Sequence, residues 1–356
     1  MSRIELQNDS IYVVAVGAQT PVGRNALSAA AAVRCGISAY AEHPFMIDQH
    51  GEPMVVAKAD WLDETADAKT RMIQLGCDAA VDALSSVKQS IRLTSLPVLF
   101  ALSTDNLPLE ADQKLVADKI SLALTETGLA IRHHICSDLN AVGADAIRKA
   151  CKFLKNNNES LCLVLGVDSH MEPETLETID NSGRLHSINN SWGFTPGEGA
   201  GAVLLSTGRT ISQVNLKPLA EVASVATGTE NKLMGTRTVC IGEGLTEAFR
   251  GALSTSEKVS HSYCDLNGET YRADEFGFAV CRTGSGFHDA GSFTAAAECW
   301  GDVGAATVPL QVALATSAWS RGYAKGDTSL CWSSSASTAL RGAVRLRSHW
   351  DKGAEA

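Results

Sequence analysis

Short apolar runs alternate along this chain with longer segments in which apolar residues recur every three or four positions. The short runs predict buried strands and the longer segments predict amphipathic helices. The predicted strands cover Ile11–Val16, Pro97–Leu102, Leu161–Val167 and Ala200–Leu205. The predicted helices cover Asn25–Cys35, Asp67–Leu84, Leu109–Thr127, Asn140–Leu154, Glu243–Leu253, Thr270–Arg282 and Val303–Trp319. This alternation is typical of a sheet covered by helices, an α/β fold.

Two polar stretches interrupt the pattern. Met171–Pro196 is rich in Asn, Ser and Gly and ends in a turn signal, so we predict an ordered loop there. Gly208–Lys217 leads into the second half of the chain. The order of elements in that half echoes the first, which suggests an internal duplication.

Composition indicates a globular protein and excludes several classes of partner. Of the 356 residues, 45% are hydrophobic and 20% are charged, which is ordinary globular usage. The net charge of −10, with no cluster of Lys and Arg, argues against nucleic acid and anionic membrane as partners. The apolar run Ile11–Val16 is too short for a spanning helix or a signal-peptide core, so we expect a cytoplasmic protein.

The ten cysteines are scattered singly, with no CxxC pair and no spacing typical of metal ligands. In a cytoplasmic protein, such thiols are mostly small buried hydrophobes. We therefore expect neither a metal nor a cofactor.

Three glycine-containing segments carry a resemblance to a known family. The first is Gly17-Ala-Gln-Thr-Pro-Val-Gly23, a strand-to-helix turn that fits neither common phosphate-loop pattern and is followed by Gly36-Ile-Ser38. The others are the helix Asn140–Ala150 and the turn Gly197-Glu-Gly-Ala-Gly201. In this order and spacing they resemble the β-ketoacyl synthases of the thiolase-like superfamily, over roughly Ile11 to Arg347.

The resemblance implies a catalytic cysteine at the N-terminus of a helix, where its pKa is lowered and it takes the acyl group from a thioester. The matching residue here is Asn140. An amide is not a nucleophile at neutral pH, whereas Asn is among the best helix N-cap residues. We therefore interpret Asn140 as a cap rather than a catalytic group.

The family also uses two histidines, which stabilise the carbanion or enolate formed by decarboxylation. The first matches Asn267, within Tyr263–Thr270. The second, counted back from a Gly-Ala-Ala helix start, matches Gly301 within Glu298–Ala306. The closing glycine-rich gate of the family is replaced around Trp332–Ser337.

A residual cysteine could supply different chemistry. Cys136 lies four residues before Asn140 and follows His133 and His134. In a strand, His134 and Cys136 share a face and His133 is opposite. Cys136 is thus an alternative nucleophile, while His133 and His134 are candidates for a dimer interface, which this strand lines in the resembling family.

Four carboxylates lie near the degenerate positions, and two of them could form a pair for acid/base catalysis of hydrolysis. Lone carboxylates are mostly exposed, and adjacent residues of a helix do not face one another. We therefore predict that they are solvated: Glu269, Asp274, Glu275 and Glu298.

The resemblance implies a thiolase fold in five layers, α/β/α/β/α, with duplicated halves at residues 1–210 and 211–356. It also implies a homodimer or a heterodimer. The joint loss of the cysteine, both histidines and the gate indicates a catalytically inactive binding scaffold. Its role could be that of a non-catalytic partner of an active synthase, or of an adaptor or chaperone recruiting another protein, including in a secretion system.

Two alternatives stay open. One is a divergent acyltransferase that uses coenzyme A or acyl carrier protein thioesters through Cys136. The other is a lipid or acyl-chain sensor that keeps the ancestral pocket. A synthase, an acyl carrier protein and a secreted effector are the candidate protein partners, one for each form of the hypothesis.

Overall fold

The computed structural model describes residues 6–349, apart from residues 88–94, 127, 129, 137–141, 158, 234–235, 237 and 336–337. Its strands are β1 (Ile11–Gln19), β2 (Tyr40–Ile47), β3 (Pro53–Ala57), β4 (Ser95–Leu102), β5 (Ala130–Cys136), β6 (Leu161–Ser169), β7 (Glu198–Thr207), β8 (Ala220–Thr229), β9 (His261–Cys264), β10 (Phe293–Ala295), β11 (Thr328–Ser334) and β12 (Leu340–Ser348). Its α-helices are α1 (Ala26–Arg34), α2 (Ala68–Ser85), α3 (Glu110–Thr125), α4 (Val142–Asn157), α5 (Pro173–Asn181), α6 (Gly208–Val214), α7 (Glu243–Ala252), α8 (Thr270–Thr283), α9 (Ala297–Trp300) and α10 (Thr307–Ser320).

Among the described residues, ten strands form one sheet in the order β10-β9-β11-β12-β8-β1-β7-β6-β4-β5. Its two halves meet where Tyr12 and Val13 of β1 pair with Glu221 and Ala220 of β8. In the first half, β5, β4 and β6 are parallel, and β7 and then β1 run antiparallel to their neighbours. The second half repeats this pattern with β10, β9 and β11 followed by β12 and β8. The repeat confirms the predicted duplication and the thiolase-like fold.

Helices cover both faces of each half. Helices α2 and α3 pack on the first half, and α7 and α8 pack on the second. Between the halves lie α4, against β6 and β8, and α10, against β7 and β11. Helix α10 is buried on every side from Val308 to Trp319 and is mostly apolar, as expected of a central helix. The layers are therefore α/β/α/β/α. The division of the chain at residue 210 stays a prediction.

Most predicted elements agree with the observed ones to within a few residues. The stretch Met171–Pro196 is the exception, because it contains α5 and is not a loop throughout. Pro173 occupies the first turn of α5, where its missing N–H has no cost. No described helix is both long and apolar enough to cross a bilayer.

Candidate functional site

The turn that follows β9 places Asn267 in a buried polar network. Its amide nitrogen Nδ2 donates to Asp302 Oδ2 at 2.7 Å and to Glu269 Oε2 at 3.1 Å. Its carbonyl oxygen accepts from the Glu269 backbone N–H at 3.1 Å. An amide nitrogen carries two protons, so both donors of Asn267 are engaged by carboxylates.

The second family position, Gly301, is constrained by the backbone. Gly301 ends α9 with φ 73°, in the left-handed region that favours glycine. A Cβ atom there would lie 2.8 Å from the Thr195 carbonyl oxygen and 2.9 Å from Gly197 Cα. A side chain such as histidine therefore does not fit at Gly301 without a shift of the glycine-rich turn that precedes β7.

The side chain that faces Asn267 belongs instead to the next residue, Asp302. The backbone of Asp302 is held between Thr195 and Gly197, with N–H···O distances of 2.8 and 2.9 Å. Its second carboxylate oxygen accepts from the Gly304 N–H at 2.9 Å. Sequence reasoning missed Asp302 because the position was counted from the Gly-Ala-Ala helix start. The Trp-Gly-Asp order, which puts a side chain directly after a left-handed glycine, was the signal that could have found it.

A buried arginine lies behind these groups and supplies positive charge. Arg272 is 2% exposed; it forms an ion pair with Asp265 and reaches Asp302 at 3.3 Å and the Ser334 carbonyl oxygen at 2.9 Å. Glu269 lies 3.6 Å from the Arg272 Nε. The carboxylates of Asp265, Glu269 and Asp302 thus all lie close to the Arg272 guanidinium. Their attraction to it holds these side chains in place.

Two of the four carboxylates that were predicted to be solvated are buried. Glu269 is buried and receives a bidentate pair from Arg184 at 2.7 and 3.0 Å. Glu275 is fully buried and pairs with Arg341. The prediction of exposure was wrong for both, because each has a distant arginine that the sequence does not reveal. Asp274 and Glu298 are exposed, as predicted.

The carboxyl groups of the site titrate differently. Burial alone would raise the pKa of Asp302, but the charge of Arg272 and hydrogen bonds from its neighbours bring it below its ordinary value. Burial raises the pKa of Asp168, which accepts hydrogen bonds from the Asn106 amide at 2.6 Å and the Ala305 N–H at 2.9 Å. The site thus holds an ionised carboxylate, Asp302, beside the amide of Asn267.

A cleft of about 460 Å³ opens beside Asp302. It is lined by His170, Arg184 and Phe194, and by the helix α5 that sequence analysis did not predict. His170 follows β6, with Nδ1 3.1 Å from the Gly197 carbonyl oxygen. It is a histidine that the fold brings to the site from a distant part of the chain. On the inner side of Gly301 and Asp302, a cavity of about 20 Å³ has room for roughly one water molecule.

The nucleophile position itself, Asn140, lies outside the described residues, so its interpretation as a cap stays a prediction. Cys136, four residues earlier, ends β5 and is 3% exposed, within the apolar core between the sheet halves. His133 faces the other way, with ring nitrogens 3.1 Å from Ser121 Oγ and 3.2 Å from Asp118. His134 is exposed on the edge strand. The structure therefore does not bring His133 together with Cys136.

One group of metal-ligand side chains comes together among the described residues: Glu230, Cys240 and Glu275. Arg341 already contacts both carboxylate oxygens of Glu275. Burial raises the pKa of Cys240 to about 12, and its thiol donates to Glu275 at 3.2 Å. A protonated thiol and a carboxylate paired with an arginine are poor metal ligands. These three side chains therefore have a structural role in the connection between β8 and α7.

The sequence and structure are similar to known ketosynthases. The family model described as "Beta-ketoacyl synthase, N-terminal domain" matches residues 107–210. No curated protein sequence matches the chain. Among solved structures, a type II PKS acyl-carrier protein in complex with its ketosynthase bound to the hexaketide matches with TM-score 0.76 and 14% identity, over 96% of this chain and 100% of that one.

Two further solved structures have similar scores. The ketosynthase from module 6 of the bacillaene synthase from Bacillus subtilis 168 matches with TM-score 0.75 and 13% identity, over 95% of this chain and 72% of that one. A ketosynthase in complex with its chain length factor from Xenorhabdus doucetiae matches with TM-score 0.73 and 13% identity, over 95% and 98%. These similarities show that the chain has the fold of the ketosynthases, and its residues 107–210 match the N-terminal domain model of the β-ketoacyl synthases.

Proposed function

We propose that this protein is a non-catalytic ketosynthase-like scaffold that acts by binding a protein partner. The observation that carries the proposal is the engagement of Asn267. Both of its amide protons are donated to carboxylates, Asp302 at 2.7 Å and Glu269 at 3.1 Å. They are not available to a thioester or enolate oxygen, which is the group that the family's histidine stabilises.

The charge of the site supports the same proposal. Decarboxylation of an extender thioester develops negative charge, which enzymes stabilise with donors and cations. Here the ionised Asp302 occupies the place facing Asn267, and Arg272 is already paired with Asp265. A second negative charge beside Asp302 would be repelled, so the arrangement opposes this step.

The edge strand β5 is the surface that we propose for the partner. It pairs only with β4 among the described strands, and it exposes Arg132 and His134. An edge strand offers a row of unpaired N–H and C=O groups to another chain. Solved structures similar to this chain include a ketosynthase in complex with its chain length factor. We therefore propose that the partner is a ketosynthase-like chain, either a second copy or a homologous synthase.

Affinity purification from the native host, followed by mass spectrometry, tests the partner. We expect a ketosynthase-like chain to co-purify, or the protein alone to have a solution mass about twice its own 37.5 kDa. Arg132→Asp together with His134→Asp is expected to abolish that association. Arg250→Asp, at an exposed site on α7, is the control with the same charge change as Arg132→Asp alone. Co-purification of a carrier protein or a secreted effector alone would favour the adaptor form of the proposal.

A decarboxylation assay tests the absence of catalysis independently of any partner. Malonyl-coenzyme A and malonyl carrier protein are incubated with the purified protein, and carbon dioxide release is measured. We expect no release above the protein-free rate. Release that disappears in His170→Ala would contradict the proposal, since it would assign an acid/base role to the histidine in the cleft beside Asp302.

A further inference from the structure

A second cleft lies at the start of the strand whose end leads to Asn267. It has a volume of about 340 Å³ and lies between the last turn of α1, the start of β9 and the end of α10. His261 begins β9 at this cleft, whereas the turn to Asn267 follows the end of β9. We call it the α1–α10 cleft. Its volume is within the range of small-molecule sites, about 300–1,000 Å³.

The α1–α10 cleft is lined by cations and has no carboxylate in its wall. Arg34 and Lys325 both line it. The Arg34 guanidinium lies 4.3 Å from the ring centre of Tyr323, a cation–π contact that holds it at the rim. Among the residues that the structure describes, no Asp or Glu forms an ion pair with Arg34 or Lys325. Unpaired cations are unexpected together in a chain with net charge −10.

The polar groups of the cleft form a connected row. Lys325 Nζ lies 3.3 Å from Ser292 Oγ, which lies 3.0 Å from His261 Nδ1. His261 Nε2 lies 2.8 Å from Thr294 Oγ1. Burial, with a smaller contribution from the charge of Lys325, lowers the pKa of His261 to about 4, so the ring is neutral at pH 7. The positive charge of the cleft therefore comes from Arg34 and Lys325.

The floor of the cleft is apolar. Ala30, Leu314 and Ala318 are each less than 5% exposed and belong to the core between the sheet halves or pack beside it. Val33 and Ala324 extend this surface towards the rim. A ligand that fills the cleft thus meets both the two cations and aliphatic side chains.

We propose that the α1–α10 cleft binds a small oxyanion, a carboxylate or a phosphate monoester, carried on a short apolar chain. Arg34 and Lys325 would pair with the oxyanion, and the tail would cover the alanine-rich floor. The Tyr323 ring holds Arg34 in place for that contact. The site is independent of the degenerate ketosynthase positions.

Isothermal titration calorimetry with octanoate, octyl phosphate and octanol tests the proposal. Octanol is the neutral match that keeps the apolar tail. We expect at least one of the two anions to bind about tenfold or more tightly than octanol, because the anion makes charge-assisted hydrogen bonds that the neutral alcohol cannot make. Tighter binding of octyl phosphate than of octanoate would identify a phosphate site, and the reverse a carboxylate site.

Variants locate the binding. Arg34→Gln and Lys325→Gln are each expected to weaken anion binding about tenfold or more, with unchanged melting temperature because both side chains are exposed. Arg250→Gln removes the same charge from α7, on the opposite face of the sheet, and should bind normally. Ala324→Trp should abolish binding by filling the cleft. Binding of neither anion at millimolar concentration, or anion binding that survives Arg34→Gln and Lys325→Gln, would overturn the proposal.

Discussion

Asn267 Nδ2 lies 2.7 Å from Asp302 Oδ2, and this contact joins two chain segments that are 35 residues apart in sequence. It ties the turn after β9 to the segment after α9. Glu269 accepts a hydrogen bond from the other amide proton of Asn267. Both protons therefore hold neighbouring segments of the chain in place. The hydrogen bonds of Asn267 thus connect the loops that surround it.

Removal of the Asn267 amide should therefore cost stability. Asn267→Ala leaves the buried Asp302 and Glu269 each short of a donor, and an unsatisfied buried polar group costs roughly 1–3 kcal/mol. We expect the free energy of unfolding in urea to fall by about that amount. Asn189→Ala, at an exposed site, should change it by less than about 0.5 kcal/mol. Equal effects in the two variants would contradict a structural role for Asn267.

The elements that sequence periodicity predicts are those whose burial is uniform or strictly one-sided. Helix α10 is buried on every side because it lies between both halves of the sheet, and β6 is buried along its whole length. Helix α5 was missed because only Leu176 and Ile179 of its nine residues are buried. Helix α5 begins at Pro173, and most of its residues are polar, as they are in a loop.

The candidate site was less predictable, because its geometry depends on contacts between distant segments. The predicted match of Asn267 to a histidine of the family depends only on a local motif. That Asp302 rather than Gly301 faces it follows from the left-handed φ of Gly301 and from the backbone contacts with Thr195 and Gly197. The burial of Glu269 likewise depends on Arg184, 85 residues away. No local pattern encodes either relationship.

The first residue of β7, Glu198, forms a buried ion pair with Arg71 that should be strongly coupled. Arg71 and Glu198 are 2% and 0% exposed and are joined by bonds of 2.5 and 2.9 Å. Removal of one partner leaves a buried charge, so we expect Arg71→Met to cost about 3–5 kcal/mol of unfolding free energy.

A double-mutant cycle measures the Arg71–Glu198 coupling directly. The double variant with Glu198→Leu should cost clearly less than the sum of the single variants. The same cycle on Lys58 and Glu64, a pair of which Glu64 is 55% exposed, should give a coupling below about 1 kcal/mol. Additive effects at Arg71 and Glu198 would show that the buried pair contributes no net interaction.

Stability should depend on pH through His261. Burial, and then the charge of Lys325, lowers the pKa of His261 from 6.5 to about 4 in the folded protein. Between these values the unfolded chain binds a proton that the folded chain does not, so the free energy of unfolding falls as the pH drops from 6.5 to 4. After allowance for solvent screening of a partly covered ring, we expect a loss of roughly 1–2 kcal/mol.

Chemical denaturation of His261→Gln at several pH values isolates this contribution. Gln keeps a polar group near Ser292 and Thr294 but does not titrate. The variant should lose less stability than the parent over pH 6.5 to 4, whereas acid loss below pH 4, which involves carboxylates such as Glu257 with its lowered pKa, should be shared. Identical slopes in both proteins would show that His261 does not titrate as described.

The alternative of an acyltransferase acting through Cys136 is decided by intact-mass measurement after incubation with acyl-coenzyme A. Cys136 is 3% exposed, and His133 is engaged by Asp118 on the opposite face of β5, so His133 does not activate the thiol. We therefore expect any adduct to form on the exposed thiols Cys35 and Cys281 instead. The acyl adduct should persist in Cys136→Ala and disappear in the double variant with Cys35→Ala and Cys281→Ala. A stable adduct that is lost only in Cys136→Ala would overturn the non-catalytic proposal, because a buried thiol that takes an acyl group must have both an access path and an activating partner.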